Sequence, residues 1–354
     1  MDPVTHAASG LLLSQLLPSP SRAGAAIAGL ALTFLPDVDY FLVFLDRLTF
    51  IRYHRGFTHS LLAVPLFALL VAAAGRLLGG PRWFRPLFFL GLAVLGAHLL
   101  LDLATSYGTQ VFSPFTRRKF TLDWLFIIDP YFTVLLLAGT TAVWFWPHRG
   151  RAPGWFFLAA AGAYFLFCGY CHHRALSLAR ELYRGIPGEN AAAALPQPFS
   201  CRRWQLMASG PYGFSQAFVA LPFGALWGQP PPAGPTEIRS SPLDQDCRAP
   251  AASYDPPGSL VVQRWCPLNR PLGVFPPEAR QVVDTFLEFA RFPLLYSDDQ
   301  LGGGRLLKWL DLRFTVPGRQ FPFVLQVRLD RGGRLENWTL GRCTGAASNK
   351  DGGS

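Results

Sequence analysis

The chain has 354 residues, of which 50% are hydrophobic and only 15% charged, with 32 Lys and Arg against 22 Asp and Glu. So few charges and so many apolar residues exclude a disordered chain and argue against a wholly soluble one. The net charge of +10 is carried mainly by arginines. Those of the first half lie in loops between apolar runs, which points to lipid headgroups as partners and away from direct binding of nucleic acid.

In chain order, the first ten residues contain no Lys or Arg, so the N-terminus is expected to remain in place rather than act as a cleaved signal. Val4 to Leu17 is apolar but short and carries His6 and Gln15, and Pro18-Ser19-Pro20 ends it. Longer apolar runs follow at Gly24 to Leu45, Leu61 to Leu78, Pro86 to Leu103, Pro130 to Trp146 and Gly154 to Cys171. Each is near the ~20 residues that a helix needs to cross the hydrocarbon core. The expected fold is a mainly α, polytopic membrane bundle of five to six helices over residues 1–174, followed by a small α+β domain. Ala175 to Arg184 reads as a surface helix, and the Pro/Gly-rich residues 175–258 as linker and irregular chain, with Pro230-Pro231-Pro232 in their least apolar part. In the soluble domain, 259–345, Pro277 to Arg291 has helical periodicity. Arg305 to Val316, Phe321 to Leu329 and Arg334 to Leu340 read as strands, the last two joined as a hairpin at Asp330 to Gly333. Residues 346–354 read as a disordered tail.

Alternating the helices across a membrane brings the polar residues of the first half to one face. That face receives His6, Asp37, Asp39, the segment His54-Arg55-Gly56-Phe57-Thr58-His59-Ser60, His98, Asp102 and Asp129. It also has the larger share of Arg and Lys, so the positive-inside rule predicts that this layer and the C-terminal domain are cytoplasmic. His98 and Asp102 are spaced i,i+4 and share a helical face. Asp37 and Asp39 follow Pro36, whose break in helical regularity lets both carboxylates turn inward. Carboxylates at membrane depth need cationic partners, and a divalent metal or Arg55 would serve.

Each group also has a structural reading. His98 with Asp102 would make a hydrogen-bonded pair between helices, Asp37 and Asp39 a loop pair at headgroup level, and His54 and His59 interfacial side chains. Asp129, before Pro130, is either a helix N-cap or a support for the site. The convergence of all of them on one face favours a metal site with His6, Asp37, Asp39, His54, His59, His98 and Asp102 as ligands.

These motifs, together with Thr5-His6 and Thr105-Ser106-Tyr107-Gly108-Thr109-Gln110, resemble the bacterial membrane-bound metal-dependent hydrolases, also described as LexA-binding inner-membrane-associated hydrolases. The resemblance covers residues 1 to about 175, and Trp309-Leu310-Asp311-Leu312-Arg313-Phe314 is similar to the soluble tail of one branch. It implies a multi-pass bacterial inner membrane protein with a metal site built from these His and Asp residues. The His-x-x-x-Asp spacing is also distantly similar to helical zinc-dependent phospholipases and nucleases, at the level of fold analogy.

The residue types suggest hydrolysis with one or two zinc or manganese ions, because seven ligands exceed the needs of one ion and an aspartate can bridge two. Arg55, Asp39 and Asp102 are the catalytic candidates, with Arg55 expected to clamp a phosphate. Thr58, Ser60, Tyr107 and Thr109 are expected to hydrogen-bond ligands or substrate. The position at a membrane face suggests an amphiphilic phosphoester such as a lipid. The C-terminal domain carries no catalytic motif, so a scaffold, lid or protein-partner role is expected of it. Two other classes stay open. One is a non-catalytic membrane protein with a structural metal or ion-pair layer and a partner-binding tail. The other is a c-type haem protein, since Cys168-Gly169-Tyr170-Cys171-His172 fits the attachment pattern, although it ends an apolar helix with no loop to wrap a porphyrin. Cys201, Cys247, Cys266 and Cys343 would be able to pair if their domain faced the periplasm.

Overall fold

The computed structural model describes residues 1–184, 186, 188, 191–211, 213–227, 235–240, 253–267 and 275–342. The chain divides into a helical unit, Met1–His172 with Pro198–Cys201, and a second unit comprising His173–Gln197 and the residues from Arg202 onward.

The helical unit begins with α1 (Pro3–Leu16), whose start is fixed by Asp2: its side chain accepts from the backbone N–H of Val4 and Thr5, and Pro3 occupies the first turn. α1 is rich in small residues and packs against α2 (Arg22–Phe34), α5 (Phe84–Leu103) and α6 (Pro130–Phe145). Its crossing with α2 is close enough that a Cβ on Gly10 would lie 2.8 Å from the Gly29 carbonyl oxygen. Glycine at both positions lets the backbones meet.

After α2 the chain bends by 50° into a 3-10 segment, Pro36–Phe44. Pro36 has no N–H to continue the α-helix, which accounts for the break. α3 (Arg47–Tyr53) follows, capped by Asp46, then a 3-10 turn at Phe57–His59 and α4 (Ala63–Gly79). α5 (Phe84–Leu103) packs along α4. A long loop then leads to α6 (Pro130–Phe145), capped by Asp129, and α7 (Ala152–Arg184).

Among the described residues, two stretches are long and apolar enough to span a membrane by themselves, Pro81–Leu103 and Ala152–Arg184. Counting Arg22–Phe34 with Pro36–Phe44, and Arg47–His59 with Ala63–Gly79, as broken spans raises the number to four, with Pro130–Phe145 a shorter apolar helix. Against the five to six helices expected from hydropathy, the described residues show two to four candidate spans, and the apolar run Gly24 to Leu45 is bent at Pro36. The surface helix expected at Ala175 to Arg184 is the continuous end of α7.

The described residues of the second unit form two sheets. The five-stranded sheet has the order β1-β2-β3-β5-β4, from β1 (Ala191–Gln197), β2 (Ser200–Gly210), β3 (Gly213–Ala220), β4 (Pro235–Ser240) and β5 (Leu260–Trp265). The short α8 (Phe223–Trp227) follows β3. The four-stranded antiparallel sheet runs β6 (Pro293–Leu301), β7 (Gly304–Asp311), β8 (Val324–Leu329), β9 (Leu335–Gly341), preceded by α9 (Pro277–Phe289). Both sheets contribute to one core containing Leu195, Met207, Trp265, Leu294, Leu310 and Val324. The α9 helix and the β8–β9 hairpin match the sequence expectation, while β1 to β4 replace much of the expected linker. The alanine-rich β1 has low strand propensity, and Trp204 to Ala208 of β2 are buried in succession, so no alternating pattern marks them. Pro230 to Pro232, Cys247, Cys343 and the tail 346–354 lie outside the described residues.

Candidate metal centre

The bend at Pro36 places two carboxylates around one imidazole. Asp37 Oδ1 lies 3.3 Å from His59 Nε2, and Asp39 Oδ2 lies 3.3 Å from His59 Nδ1. Asp39 is occupied on both oxygens: Oδ1 faces His54 Nδ1 at 2.7 Å, and Oδ2 accepts from the Arg55 backbone N–H at 3.0 Å and the Thr58 hydroxyl at 2.8 Å. It therefore ties the His54–Ser60 loop to the 3-10 segment and orients His59, leaving Nε2 of that ring turned inward.

Around that nitrogen the remaining ligand atoms converge. His59 Nε2 is 3.2 Å from Asp102 Oδ2 and 3.3 Å from His98 Nε2. His98 Nε2 is 3.5 Å from Asp102 Oδ2 and 3.8 Å from Asp37 Oδ1. Asp37 is the most open of the four, its side chain 27% exposed against 0–1% for the others. On a fourth side, His6 stacks on His98 with ring centroids 3.8 Å apart and directs Nε2 to Asp102 Oδ1 at 3.1 Å. Among the described residues, the groups close enough to share an ion include Asp37 with His59 and His98, and His6 with His98 and Asp102.

The donor set fits a metal. Asp102 Oδ2, one of the converging atoms, is buried and has no hydrogen-bond partner. Imidazole nitrogens and carboxylate oxygens face one another at spacings near the ~3.3 Å edge of a tetrahedron with ~2.0–2.1 Å metal–ligand bonds.

Arg55 is turned inward. Its guanidinium is buried, pairs with Asp102 Oδ1 at 2.9 Å, donates to the Thr105 hydroxyl at 3.0 Å, and stacks on Tyr107 at 4.8 Å. The clamp expected to face a phosphate is therefore engaged with Asp102, as is the Met1 amino group. The Arg55 backbone is left-handed, φ 59°, a conformation costing a non-glycine residue ~1 kcal/mol or more. Backbone bonds to Asp39 and from the Gln110 N–H hold it there.

The other supporting residues fall in different places. Thr58 reaches Asp39 as described, and Tyr107 packs edge-on to His54 at 5.7 Å besides stacking on Arg55. The Ser60 hydroxyl accepts from the Ala63 N–H at the start of α4, which is a capping contact. Thr109 is buried and pairs through its backbone with Phe120. Asp129 resolves as a cap: it accepts from the Phe132 N–H at 3.0 Å and the Tyr164 hydroxyl at 3.0 Å, and burial raises its pKa above the ordinary carboxylate value. Thr105, one turn past Asp102, was not singled out from sequence as a partner of Arg55; the i,i+3 spacing is the signal that marks it. Cys168 and Cys171 of the haem-like pattern are buried within continuous α7.

Comparison with known proteins places this chain in a family. The model of the YdjM inner membrane protein family matches residues 1–175. The inner membrane protein YbcI of Escherichia coli is 35% identical over 133 residues, 34% of this chain and 72% of its own length. The chain belongs to the YdjM inner membrane protein family. The YdjM protein of Escherichia coli is 42% identical over 98 residues, 25% of this chain and 47% of its own. The uncharacterized protein YfhP of Bacillus subtilis is 29% identical over 225 residues, 60% of this chain and 67% of its own. That likeness is longer than the YdjM family match and so reaches into the C-terminal half. No solved structure matches. Family membership and the apolar helices make this an inner membrane protein.

Proposed function

We propose that this inner membrane protein is a metal-dependent hydrolase whose centre is formed by Asp37, His59, His98 and Asp102. The observation that carries the reading is the convergence of Asp37 Oδ1 and Asp102 Oδ2 on His59 Nε2 and His98 Nε2, at 3.2–3.8 Å, in a buried layer. A bound zinc or manganese ion would supply Lewis acidity for hydrolysis of an ester or phosphoester near neutral pH. Asp39 keeps the His59 ring fixed, and Arg55 neutralises Asp102 on Oδ1 while leaving Oδ2 directed inward. His6 offers a further nitrogen beside Asp102, the position from which a second ion would be held. The exposed edge at Asp37 is where substrate would approach. Arg55 acts as a positioning residue in this scheme.

A second reading, a structural ion-pair layer without turnover, draws on His59 lying within 3.3 Å of a carboxylate oxygen from each of Asp37, Asp39 and Asp102. The two separate in a chelation and reloading assay on purified protein in detergent, with bis(p-nitrophenyl) phosphate and a p-nitrophenyl acyl ester as probes. Hydrolysis that is lost on chelation, restored by zinc or manganese and missing in His98→Ala supports the hydrolase. A metal-loaded protein that turns over neither probe, or an unchanged rate in His98→Ala, overturns it.

A further inference from the structure

A cavity of about 540 Å³ opens at the turn between α6 and α7. Its walls include Trp146, Phe156 and Phe157, and its polar side chains are His148 and Arg149. The volume falls within the ~300–1,000 Å³ of small-molecule sites. The cavity is remote from the candidate metal centre. α6 starts a few residues after Trp124, whose N–H donates to the Ala104 carbonyl at 2.9 Å just past the end of α5. The 16 residues of α6 then carry the chain ~24 Å to the turn. That distance is most of the ~30 Å hydrocarbon core, so the cavity belongs to the membrane face opposite Asp102.

Two features indicate what fills it. The first is charge. No Asp or Glu occurs from Pro130 to Arg180, and among the described residues the Arg149 guanidinium has no hydrogen bond or ion pair. The other turns of that face lack acids too: none lies from Val4 to Pro36 or from Arg47 to Leu101, the stretches that hold Arg22, Arg76, Arg82 and Arg85. The field at the cavity is therefore positive and favours an anion, and a guanidinium matches phosphate oxygens in a bidentate pair. The second feature is the aromatic surround. Trp144, Phe145, Trp146, Trp155 and Phe156 are all exposed about the turn. In an inner membrane protein such a belt sits at headgroup level. A free phosphate or a sugar phosphate would leave these rings without a partner, whereas an amphiphile meets them with its chains.

We propose that the cavity at the α6–α7 turn is a binding site for one anionic phospholipid, its phosphate held by Arg149 and His148 and the first part of its acyl chains lying against Trp146, Phe156 and Phe157. The site is independent of the metal centre and of any turnover there. Arg149 decides the charge preference, since a zwitterionic lipid brings its own cation to the phosphate. Arg82, exposed on the turn between α4 and α5 and absent from the cavity lining, serves as the control for the general positive charge of that face.

The test uses the full chain reconstituted in phosphatidylcholine vesicles with a small fraction of a photoreactive lipid, either phosphatidylglycerol or phosphatidylcholine, with the same diazirine near the start of one acyl chain. After irradiation, labelling at Trp146, Phe156 and Phe157 is measured by mass spectrometry. Phosphatidylglycerol is expected to label these positions about tenfold more than phosphatidylcholine, the scale of one charge-assisted hydrogen bond. Arg149→Gln should remove that preference and Arg82→Gln should keep it. Added inorganic phosphate, at an ionic strength matched with chloride, should leave it unchanged. Equal labelling by the two lipids in the wild type overturns the proposal without recourse to any variant. A preference that survives Arg149→Gln, or that is lost equally in Arg82→Gln, also overturns it and leaves only the diffuse charge of the face. Loss of the preference on adding inorganic phosphate overturns it in favour of a site for the free anion.

Discussion

Two buried aspartates, one in each half of the molecule, carry the same charge and end up in opposite chemical situations. Asp311, at the end of β7, is surrounded by donors. It accepts from the backbone N–H groups of Arg291, Phe292 and Arg313, and it pairs with the Arg313 guanidinium at 2.8 Å. That guanidinium is in turn stacked on Phe289 and Phe314 and donates to the Phe289 carbonyl. Asp102, at the end of α5, has cations on one oxygen only. Its other oxygen faces His59 and His98 without a hydrogen bond, with Asp37 close to both rings. A carboxylate closed off by donors is a lock within the fold. On the proposed reading, a carboxylate that shares its space with imidazole nitrogens is a ligand for a cation.

The largest effect separating the two is expected from Asp311→Ala. Removing one partner of a buried ion pair costs about 3–5 kcal/mol, so the C-terminal domain should become strongly sensitive to denaturant or protease while the metal content of the full chain stays unchanged. Equal loss of metal in this variant would erase the distinction. A smaller effect is expected from Asp39→Asn, which weakens the hold on His59: metal affinity, measured by competition with a chelator, should fall about 10–100-fold, with little change in fold. An unchanged affinity would mean that Asp39 only pins the loop. The smallest effect is expected from Asp129→Ala. Loss of this cap should lower stability by ~1 kcal/mol in a denaturation series and leave metal binding alone, and any loss of metal would return Asp129 to the site.

The same comparison shows what the sequence could convey. Ligand types at fixed helical spacing are visible in one dimension: His98 and Asp102 at i,i+4, and the pair after Pro36, meet in the fold as their spacing and the proline break suggest. What escaped was direction. Nothing in the residue order says that Arg55 has a left-handed backbone and turns its guanidinium onto Asp102, or that Asp39 is consumed by His54, Thr58 and a backbone N–H. Those outcomes depend on contacts between segments far apart in the chain. Hydropathy likewise recorded apolar length at Gly24 to Leu45 without the 50° bend within it. In the C-terminal half, α9 and the β8–β9 hairpin were legible because one face alternates or repeats. β2 was not, because its central residues are buried on both faces.

The most direct test of the central claim is elemental analysis of the purified full chain, wild type beside His98→Ala. His98 is the better variant because replacing Asp102 would also strand Arg55 without its partner. The account predicts about one divalent ion per chain or more in the wild type, lost in His98→Ala with the fold retained; fewer than about 0.5 ions per chain in the wild type would contradict it.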